Sequence, residues 1–395
     1  MHILLVADGR SPITRSWISA LQPLGWQISL ISTFPCSPIN GAALAAVLPV
    51  AFARYAGSQA GTTAPAAARK GLVSRIRPLA QKVRYALGPW TLLWYRRRFR
   101  QLVNQLHPDL VHALRIPFEG MLASSTPLGI PLIVSTWGND LTLHAPASPR
   151  MSTLTRQTLL RADALMSDTK RDALLVQQWG FDPAKPILVV PGNGGLDLAA
   201  MQKTVAGIKR ADPPQIIDPR GLRSYVRTDI FFQAIPLVLA KYPDVRFVCT
   251  SMQGQKEALD WVKKLGIAAN VTLLPLLTQA QLWQEFARST LSVSLSTHDG
   301  TPNTLLEAMA LGCLPICGDI DSIHEWIEPG ENGLLVAADD PKAVANALLR
   351  GLEDIQLQND TANVNLKLVN EKASQERSRE QIADFYQRIY KNPAS

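Results

Sequence analysis

One stretch of the chain decides the fold and carries the main candidate site. Residues 294–312 read SLSTHDGTPNTLLEAMALG. The apolar segment 291–296 is typical of a buried strand, and it is followed by a turn that contains Gly300 and Pro302. Apolar residues then recur at helical spacing as far as Gly312. A strand that leads through a tight turn into a helix is the repeating unit of a parallel α/β sheet.

The helix of this stretch is predicted to carry an anion site at its amino end. Pro302 suits the first helical position, Thr301 suits the N-cap and Gly312 suits the stop, so we predict a helix over 302–311. The first amides of a helix have no intrahelical acceptor and lie at the positive end of the helix dipole. Such amides can hold a phosphate. Here they belong to Asn303, Thr304 and Leu305.

Glu307 lies one turn further along the same helix. Helical side chains lean toward the amino end, so Glu307 reaches back along the face that it shares with Asn303. A carboxylate is poorly placed for a phosphate but accepts hydrogen bonds from paired ribose hydroxyls, as in dinucleotide sites. The pattern therefore indicates a nucleotide site in which the phosphate and the ribose lie side by side.

Short apolar runs alternate with helical-period segments along the whole chain, which is the pattern of parallel sheets flanked by helices. The length of 395 residues favours two cores, because single cores stop growing at about 250–300 residues. The hydrophobic fraction of 47% excludes a disordered chain. The predicted strands are 2–7, 27–32, 109–114, 131–136, 164–167 and 187–190 in the first half, and 215–217, 246–250, 271–277, 291–296, 314–317 and 333–336 in the second.

The segment Pro-Gly-Asn-Gly-Gly at 191–195 interrupts every periodic pattern, and we place a domain junction there. The expected domains are 1–195, together with an amphipathic closing helix within 375–395, and 196–374. Each is expected to be a doubly wound, Rossmann-like α/β domain that binds its ligand beyond the carboxyl ends of its strands.

The net charge of +8 is unevenly distributed. Residues 9–108 contain thirteen Lys and Arg residues and neither Asp nor Glu, and the density of basic residues is highest over 69–100. Trp and Tyr lie among these basic residues, a mixture that favours contact with an anionic membrane surface. Nucleic acid is not expected as a partner, because no stacking platform or nucleic-acid motif accompanies the stretch. Ordinary helix packing is the alternative reading of its aromatic residues.

The cysteines Cys36, Cys249, Cys313 and Cys317 match neither a disulfide framework nor a zinc pattern, and we expect buried thiols in a reducing compartment. The amino-terminal apolar run is too short for a signal peptide. No apolar stretch reaches the ~20 residues that span a bilayer. A cytoplasmic protein is expected, with at most peripheral membrane contact. Residues 56–68, rich in Ala, Gly and Thr, are predicted to form a loop.

These motifs resemble those of family 4 of the retaining glycosyltransferases, enzymes of GT-B fold with two Rossmann-like domains that face a central cleft. That family carries Glu-x7-Glu followed by Ala-Met-Ala-x-Gly, and this chain has Asp299-x7-Glu307 followed by Ala-Met-Ala-Leu-Gly at 308–312. The resemblance implies that Glu307 holds the nucleotide ribose and that Asp299, one methylene shorter than the family's Glu, contacts the transferred sugar. It also implies that the backbone of Gly300, Thr301, Asn303, Thr304 and Leu305 holds the diphosphate.

The resemblance extends into the first half of the chain. Residues 109–112 resemble the family's Asp-hydrophobic-hydrophobic-His strand, which makes His112 a candidate near the anomeric centre, with a buried core histidine as the alternative. For Arg115 the same two readings are open, a site residue near the anomeric centre or a structural residue. Residues 131–140 resemble a strand that ends in His-Gly-x-Asp, and residues 8–17 are similar to a subset of the family with Arg-Ser-x-x-Thr-Arg-x-Trp. The acceptor-side candidates are Gly9, Arg10, Arg15, Asn139 and Asp140.

In that family an Arg and a Lys, a few residues apart at the start of the second domain, clamp the donor phosphates. This chain offers Arg220, Arg223 and Arg227. A guanidinium fork matches phosphate oxygens, so the clamp chemistry survives an Arg in place of the Lys. Arg220 and Arg227 are the preferred pair with Arg223 in reserve, and a solvated basic loop is the alternative.

The resemblance implies transfer of a hexose from a UDP- or GDP-sugar, with retention of configuration, to a lipid, glycan or other cell-envelope acceptor. The first domain would bind the acceptor and the second the donor, with no cofactor and no metal. Asp319 and Asp321 form an Asp-x-Asp pattern that we do not interpret as a metal site, because it follows a strand at which the family has a Gly-rich loop. A nucleotide-sugar 2-epimerase and a non-catalytic nucleotide-sugar-binding protein stay open as alternatives. The oligomeric state is not indicated.

Overall fold

The structure is a computed structural model that describes residues 1–55 and 70–391, with the backbone alone described for residues 55 and 70–82. The predicted loop 56–68 and the start of the basic stretch at Arg69 lie outside the described residues. The chain divides into two compact units, which are Met1–Gly195 with Gln375–Ser395 (unit 1) and Leu196–Ser374 (unit 2).

Unit 1 is built on a parallel sheet of seven strands in the order β3-β2-β1-β4-β5-β6-β7. The strands are β1 (His2–Ala7), β2 (Gln27–Ser32), β3 (Ala43–Val47), β4 (Leu110–Ala113), β5 (Leu132–Thr136), β6 (Ala164–Ser167) and β7 (Ile187–Val189). The helices between them are α1 (Pro12–Leu21), α2 (Lys70–Leu106), α3 (Met121–Ala123), α4 (Pro149–Arg161) and α5 (Lys170–Gln178). An irregular helical segment, Ile116–Gly120, precedes α3.

Unit 2 is built on a parallel sheet of six strands in the order β10-β9-β8-β11-β12-β13. The strands are β8 (Gln215–Asp218), β9 (Arg246–Cys249), β10 (Val271–Leu273), β11 (Leu291–Ser294), β12 (Leu314–Gly318) and β13 (Leu334–Val336). The helices are α6 (Leu198–Val205), α7 (Thr228–Leu239), α8 (Lys256–Leu265), α9 (Gln279–Arg288), α10 (Asn303–Ala310), α11 (Pro341–Glu353) and α12 (Ile355–Ala373).

Both sheets follow the doubly wound order, and the predicted pair of Rossmann-like α/β domains is confirmed. All twelve predicted strands are present, with ends that shift by up to four residues. One strand was not predicted. β3 lies at the sheet edge, and its Ala-rich, half-exposed sequence has no alternation to mark it.

The sheets separate apolar clusters on their two faces. In β1, Leu4 and Val6 pack into one cluster, while Ile3 and Leu5 point into the other. That second cluster is completed by the last helix of the chain, α13 (Gln375–Lys391), through Ile382, Phe385, Tyr386 and Ile389. The closing helix is therefore part of the core of unit 1.

None of the helices described here is both long and apolar enough to cross a membrane.

Candidate functional site

The main candidate site lies where the sheet order of unit 2 reverses. β8 and β11 are neighbours in the sheet, and the chain leaves them toward opposite sides, which opens a crevice at their carboxyl ends. Arg220 follows β8, and Asp299 follows β11. The topology thus brings together motifs that are about eighty residues apart in the sequence.

Arg220 is buried at this crevice and links the two loops. Its Nη1 donates to Oγ1 of Thr304 at 3.2 Å, and its Nη2 forms an ion pair with Oδ2 of Asp299. The same carboxylate oxygen accepts a hydrogen bond of 3.1 Å from Oγ of Ser296. Nε of Arg220 is buried and has no partner among the residues described. Arg220, Asp299 and Thr304, three of the predicted site residues, therefore form one cluster.

α10 begins at Asn303, one residue later than predicted, and its N-cap is Pro302. The predicted capping role of Thr301 is wrong, because its Oγ1 accepts a hydrogen bond of 2.9 Å from Nε1 of Trp326. The amide of Leu305 is also not available to a ligand, since it donates to the carbonyl of Pro302 at 2.9 Å.

Two amides at the start of α10 stay open to a ligand. In the described part of the chain, the amides of Asn303 and Thr304 have no backbone acceptor. The guanidinium of Arg220 contacts the side chain of Thr304 beside them. A helix amino end and a buried cation together favour an anionic group at this position.

Glu307 is buried on α10, with 4% of its surface exposed. Its Oε1 accepts a hydrogen bond from Nε2 of Gln279, at the start of α9. Burial raises the pKa of Glu307 to about 7, although the bond from Gln279 opposes the rise. Near neutral pH this carboxyl group is therefore partly protonated until a ligand supplies further donors.

Gln279 and Asp218 were not among the predicted site residues. Oδ1 of Asp218 accepts a hydrogen bond of 2.9 Å from the amide of Arg220, which fixes the turn that carries the arginine. Burial raises the pKa of Asp218 to about 7. An acid at a strand end was a signal that could have identified Asp218. The chain offers no comparable signal for Gln279.

Arg227 and Arg223 do not join the Arg220 cluster. Arg227 donates through Nε and Nη2 to the two carboxylate oxygens of Asp229, at 2.9 and 2.8 Å. Arg223 donates to the carbonyl of Arg220 at 3.0 Å and to the hydroxyl of Tyr225 at 2.8 Å. Of the three candidate clamp residues, only Arg220 lies at the amino end of α10 in this structure.

His112 is a core residue of unit 1 and has no exposed surface. One ring nitrogen, Nδ1, lies 2.6 Å from the hydroxyl of Tyr386, and the other, Nε2, lies 2.8 Å from Oγ of Ser135. Burial lowers its pKa to about 3, so the ring is neutral. In this structure His112 holds α13 against the sheet, as expected for the alternative of a buried core histidine, and a catalytic role for it stays a prediction.

The acceptor-side candidates fall into two groups. Gly9 and Arg10 follow β1, where a Cβ on Gly9 would lie 2.5 Å from Sγ of Cys36. Arg10 forms an ion pair with Asp8 at 3.0 Å, and its guanidinium carbon lies 3.8 Å from the ring centroid of Phe34. Arg15 lies apart from them, exposed on α1.

The other group follows β5. Asp140 is fully buried, and its carboxylate accepts hydrogen bonds of 2.8 Å from Nε of Arg115 and 3.2 Å from the amide of Ile116. In this structure it is therefore a positioning residue for Arg115, and its assignment to the acceptor side stays a prediction. Asn139 is half-buried, and its Oδ1 is buried without a partner in the described ranges.

Comparison with known families assigns both units. The family described as "Glycosyl transferase 4-like domain" matches residues 8–193, and "Glycosyl transferases group 1" matches residues 221–354. Together they cover most of the chain.

The chain belongs to the glycosyl transferases of group 1.

Two curated relatives are mannosyltransferases. The phosphatidyl-myo-inositol mannosyltransferase of Mycolicibacterium smegmatis is 28% identical over 159 residues, which cover 40% of this chain and 38% of that protein. The GDP-mannose:cellobiosyl-diphosphopolyprenol alpha-mannosyltransferase of Xanthomonas campestris is 25% identical over 263 residues, covering 61% of this chain and 63% of that protein. The match spans less than two thirds of either relative.

Solved structures resemble this group 1 glycosyltransferase over nearly its whole length. A sucrose-phosphate synthase from Thermosynechococcus elongatus aligns with a TM-score of 0.73 and 16% identity, covering 99% of both chains. Anabaena HepE in complex with UDP and glucose aligns with a TM-score of 0.68 and 15% identity, covering 98% of this chain and 100% of that one. These likenesses establish the GT-B fold.

Within residues 1–55 and 70–391, no group of three or more His, Cys, Asp or Glu side chains is placed to hold a metal ion.

Proposed function

We propose that this group 1 glycosyltransferase transfers a hexose from a UDP- or GDP-sugar, which unit 2 binds, to an acceptor that unit 1 binds. The observation that carries the proposal is the cluster of Arg220, Asp299 and Thr304 at the amino end of α10, one turn from the buried Glu307. Asp299, the cation with the helix amides, and the carboxyl group of Glu307 match the sugar, the diphosphate and the ribose of such a donor, in the order in which the donor presents them.

The proposed chemistry is the departure of the nucleoside diphosphate from the anomeric carbon. Negative charge builds on the diphosphate as the bond breaks, and the guanidinium of Arg220 and the amides of Asn303 and Thr304 would stabilise it. Nε of Arg220 has no partner in the described structure and can meet a phosphate oxygen while Asp299 keeps its ion pair. The same geometry lets Asp299 orient the sugar.

Retention of configuration and independence from metal are part of the proposal and rest on the family. The choice between a UDP- and a GDP-sugar also stays within it, because the name of the Xanthomonas relative contains GDP-mannose and the HepE structure holds UDP. For the acceptor, both mannosyltransferase names contain a phosphate-bearing lipid, which favours a lipid or glycan of the cell envelope.

A donor screen tests the function. The full chain is incubated with single UDP- and GDP-sugars and a mixed acceptor pool, and release of nucleoside diphosphate is measured. One donor should be consumed with transfer. Isomerisation of the donor without transfer would support the 2-epimerase alternative instead, and donor binding without turnover would support a non-catalytic binding protein.

Replacement of Arg220 tests the site. Arg220→Gln should lower kcat by about 100- to 1,000-fold, the loss that follows removal of one preorganised donor to a developing charge. The matched control is Arg246→Gln, which lies at the amino-terminal end of β9, away from the carboxyl ends of the strands that carry the site, and should retain full activity. Equal activities of the two variants would contradict the assignment of this site.

We also propose that α2 attaches the protein peripherally to anionic lipid at the cytoplasmic face of a membrane. Its exposed side includes Leu87, Trp90, Leu93 and Trp94, of which Trp94 is 77% exposed. Basic residues continue the helix, and the pKa of Arg96 is lowered by burial and by the neighbouring charges of Arg150 and Arg100. Aromatic rings beside clustered arginines suit a headgroup layer that carries negative charge.

A further inference from the structure

A cavity of about 260 Å³ lies at the point where the sheet order of unit 1 reverses. The strands β1 and β4 are neighbours there, and Asp8 and Arg115 line the cavity just beyond their carboxyl ends. This is the position at which doubly wound sheets bind ligands. The described residues that line the cavity all belong to unit 1.

Three guanidinium groups, of Arg10, Arg84 and Arg115, line this cavity. Two of them have carboxylate partners within unit 1, since Arg10 pairs with Asp8 and Arg115 pairs with Asp140. These partners hold the two groups in place, and Asp140 does so from outside the cavity wall. The cavity is therefore built around fixed cations.

Arg84, which α2 contributes, forms no ion pair with a carboxylate among the described side chains. Its Nε is buried and unpartnered within the described residues, and its guanidinium carbon lies 5.0 Å from the ring centroid of Phe118 and 5.4 Å from that of Phe34. Burial lowers the pKa of Arg84. The more distant charges of Glu119 and Asp8 offset the cost of that burial only in part, and an anionic ligand in contact with the guanidinium would offset the rest.

Among the described residues of the wall, Glu119 is the one acid besides Asp8, and it is 7% exposed. It accepts a hydrogen bond of 2.9 Å from Oγ1 of Thr33. Burial raises its pKa to about 7, although the charge of Arg115 opposes the rise. Glu119 thus loses its negative charge readily, and the cavity can then present three cations against Asp8 alone.

Backbone strain at Phe118, in the cavity wall, is a second indication that the cavity binds a ligand. Phe118 has φ +66° and ψ −49°, a backbone region that a residue with a Cβ rarely adopts. The strain holds the Phe118 ring against Arg84 and places Glu119 in the wall. Backbone strain of this kind persists where the surrounding structure over-determines it, and it is concentrated at functional sites.

We propose that this cavity binds the phosphate group of a phosphate ester, and that the acceptor of the transfer reaction carries that group. The role of the bound ester as the acceptor rests on the proposed function. The phosphate site itself does not, since it depends on Arg10, Arg84 and Arg115 alone. Guanidinium forks match phosphate oxygens with two parallel hydrogen bonds. The rings of Phe34, Phe118 and Trp137 leave an apolar wall for the group that the phosphate esterifies.

Calorimetry with inorganic phosphate on the full chain tests the site. Wild type and Arg156→Gln, which removes an exposed arginine of α4 outside the cavity, should bind phosphate equally. Arg84→Gln should weaken binding at least tenfold, and Arg84→Lys should restore part of it. Arg220→Gln separates the two units, because it should leave the Arg84-dependent binding in place.

Glu119→Gln gives a readout that misfolding cannot imitate. At pH 8 it should tighten phosphate binding, because it removes a negative charge beside the anion. Unchanged binding in Arg84→Gln, loss of binding in Arg220→Gln alone, weaker binding in Glu119→Gln or no binding by the wild type would each overturn the inference.

The source of the ester is resolved by competition against phosphate. Glucose 6-phosphate should displace it if the acceptor is a water-soluble sugar phosphate, and geranyl phosphate should do so if the acceptor is a lipid phosphate. Failure of both esters to compete would overturn the inference. The proposed function fails separately, if no nucleotide sugar is consumed while Arg84-dependent phosphate binding persists.

Discussion

Glu307 shows how burial of one carboxyl group sets the pH response of the donor site. Its pKa is raised to about 7 in the structure, while a ribose that donates two hydrogen bonds would favour the ionised form. The complex then holds fewer protons than the empty protein near pH 7. Affinity for the donor therefore rises as pH rises.

A pH titration of donor binding tests this role of Glu307. Between pH 6 and pH 8 the affinity for the preferred nucleotide sugar should increase by up to about tenfold, since one pKa unit corresponds to a factor of ten. Glu307→Gln should bind more weakly and show no such increase. The diphosphate of a nucleotide sugar does not titrate in this range, so an equal pH response in the variant would contradict the role of Glu307.

Single residues also mark the limit of what the sequence predicts. The resemblance to the family assigned Arg220 and Asp299 to one donor site, and in the structure both come directly after strands that are neighbours in the sheet. The hydrogen-bond partners of hydroxyl groups and ring nitrogens could not be predicted from the sequence. Thr301 contacts Trp326, and His112 contacts Tyr386 at a sequence separation of 274 residues, and no local pattern encodes either choice.

At the scale of elements, buried strands were predictable and an edge strand was not. β1 is buried on both faces and reads as a continuous apolar run, whereas β3 is half-exposed and rich in alanine. The basic stretch also gave no sign that α2 is a single helix of 37 residues, Lys70–Leu106. Its helical period is weak because exposed leucines and tryptophans interrupt the polar face.

The proposed membrane contact of α2 can be tested with lipid vesicles. Co-sedimentation should show binding to vesicles that contain anionic lipid at low salt, with loss of binding as salt screens the arginines. The double variant Trp90→Ala and Trp94→Ala should bind several-fold more weakly. Leu174→Ala, which removes a side chain that is 68% exposed on α5, is the matched control and should bind as the wild type does. Equal binding to neutral vesicles would count against an anionic surface.

At the scale of the whole molecule, the chain holds two separate cores, and the last helix belongs to the first of them. Tyr386 of α13 makes this connection through its hydroxyl, which accepts a hydrogen bond of 3.2 Å from Nε1 of Trp17 and lies 2.6 Å from Nδ1 of His112. All three side chains are at most 1% exposed. Tyr386→Phe would leave two buried polar groups unpaired, at a cost of about 1–3 kcal/mol each.

Separate cores predict separate responses to that substitution and to ligand. Thermal unfolding of the full chain should show two transitions, of which Tyr386→Phe lowers only the one that belongs to unit 1. The preferred nucleotide sugar should raise only the other, since binding stabilises the unit that holds the ligand. Inorganic phosphate should raise the transition that Tyr386→Phe lowers, unless Arg84→Gln is also present. A single transition that moves as one under all three changes would show that the two cores do not unfold independently.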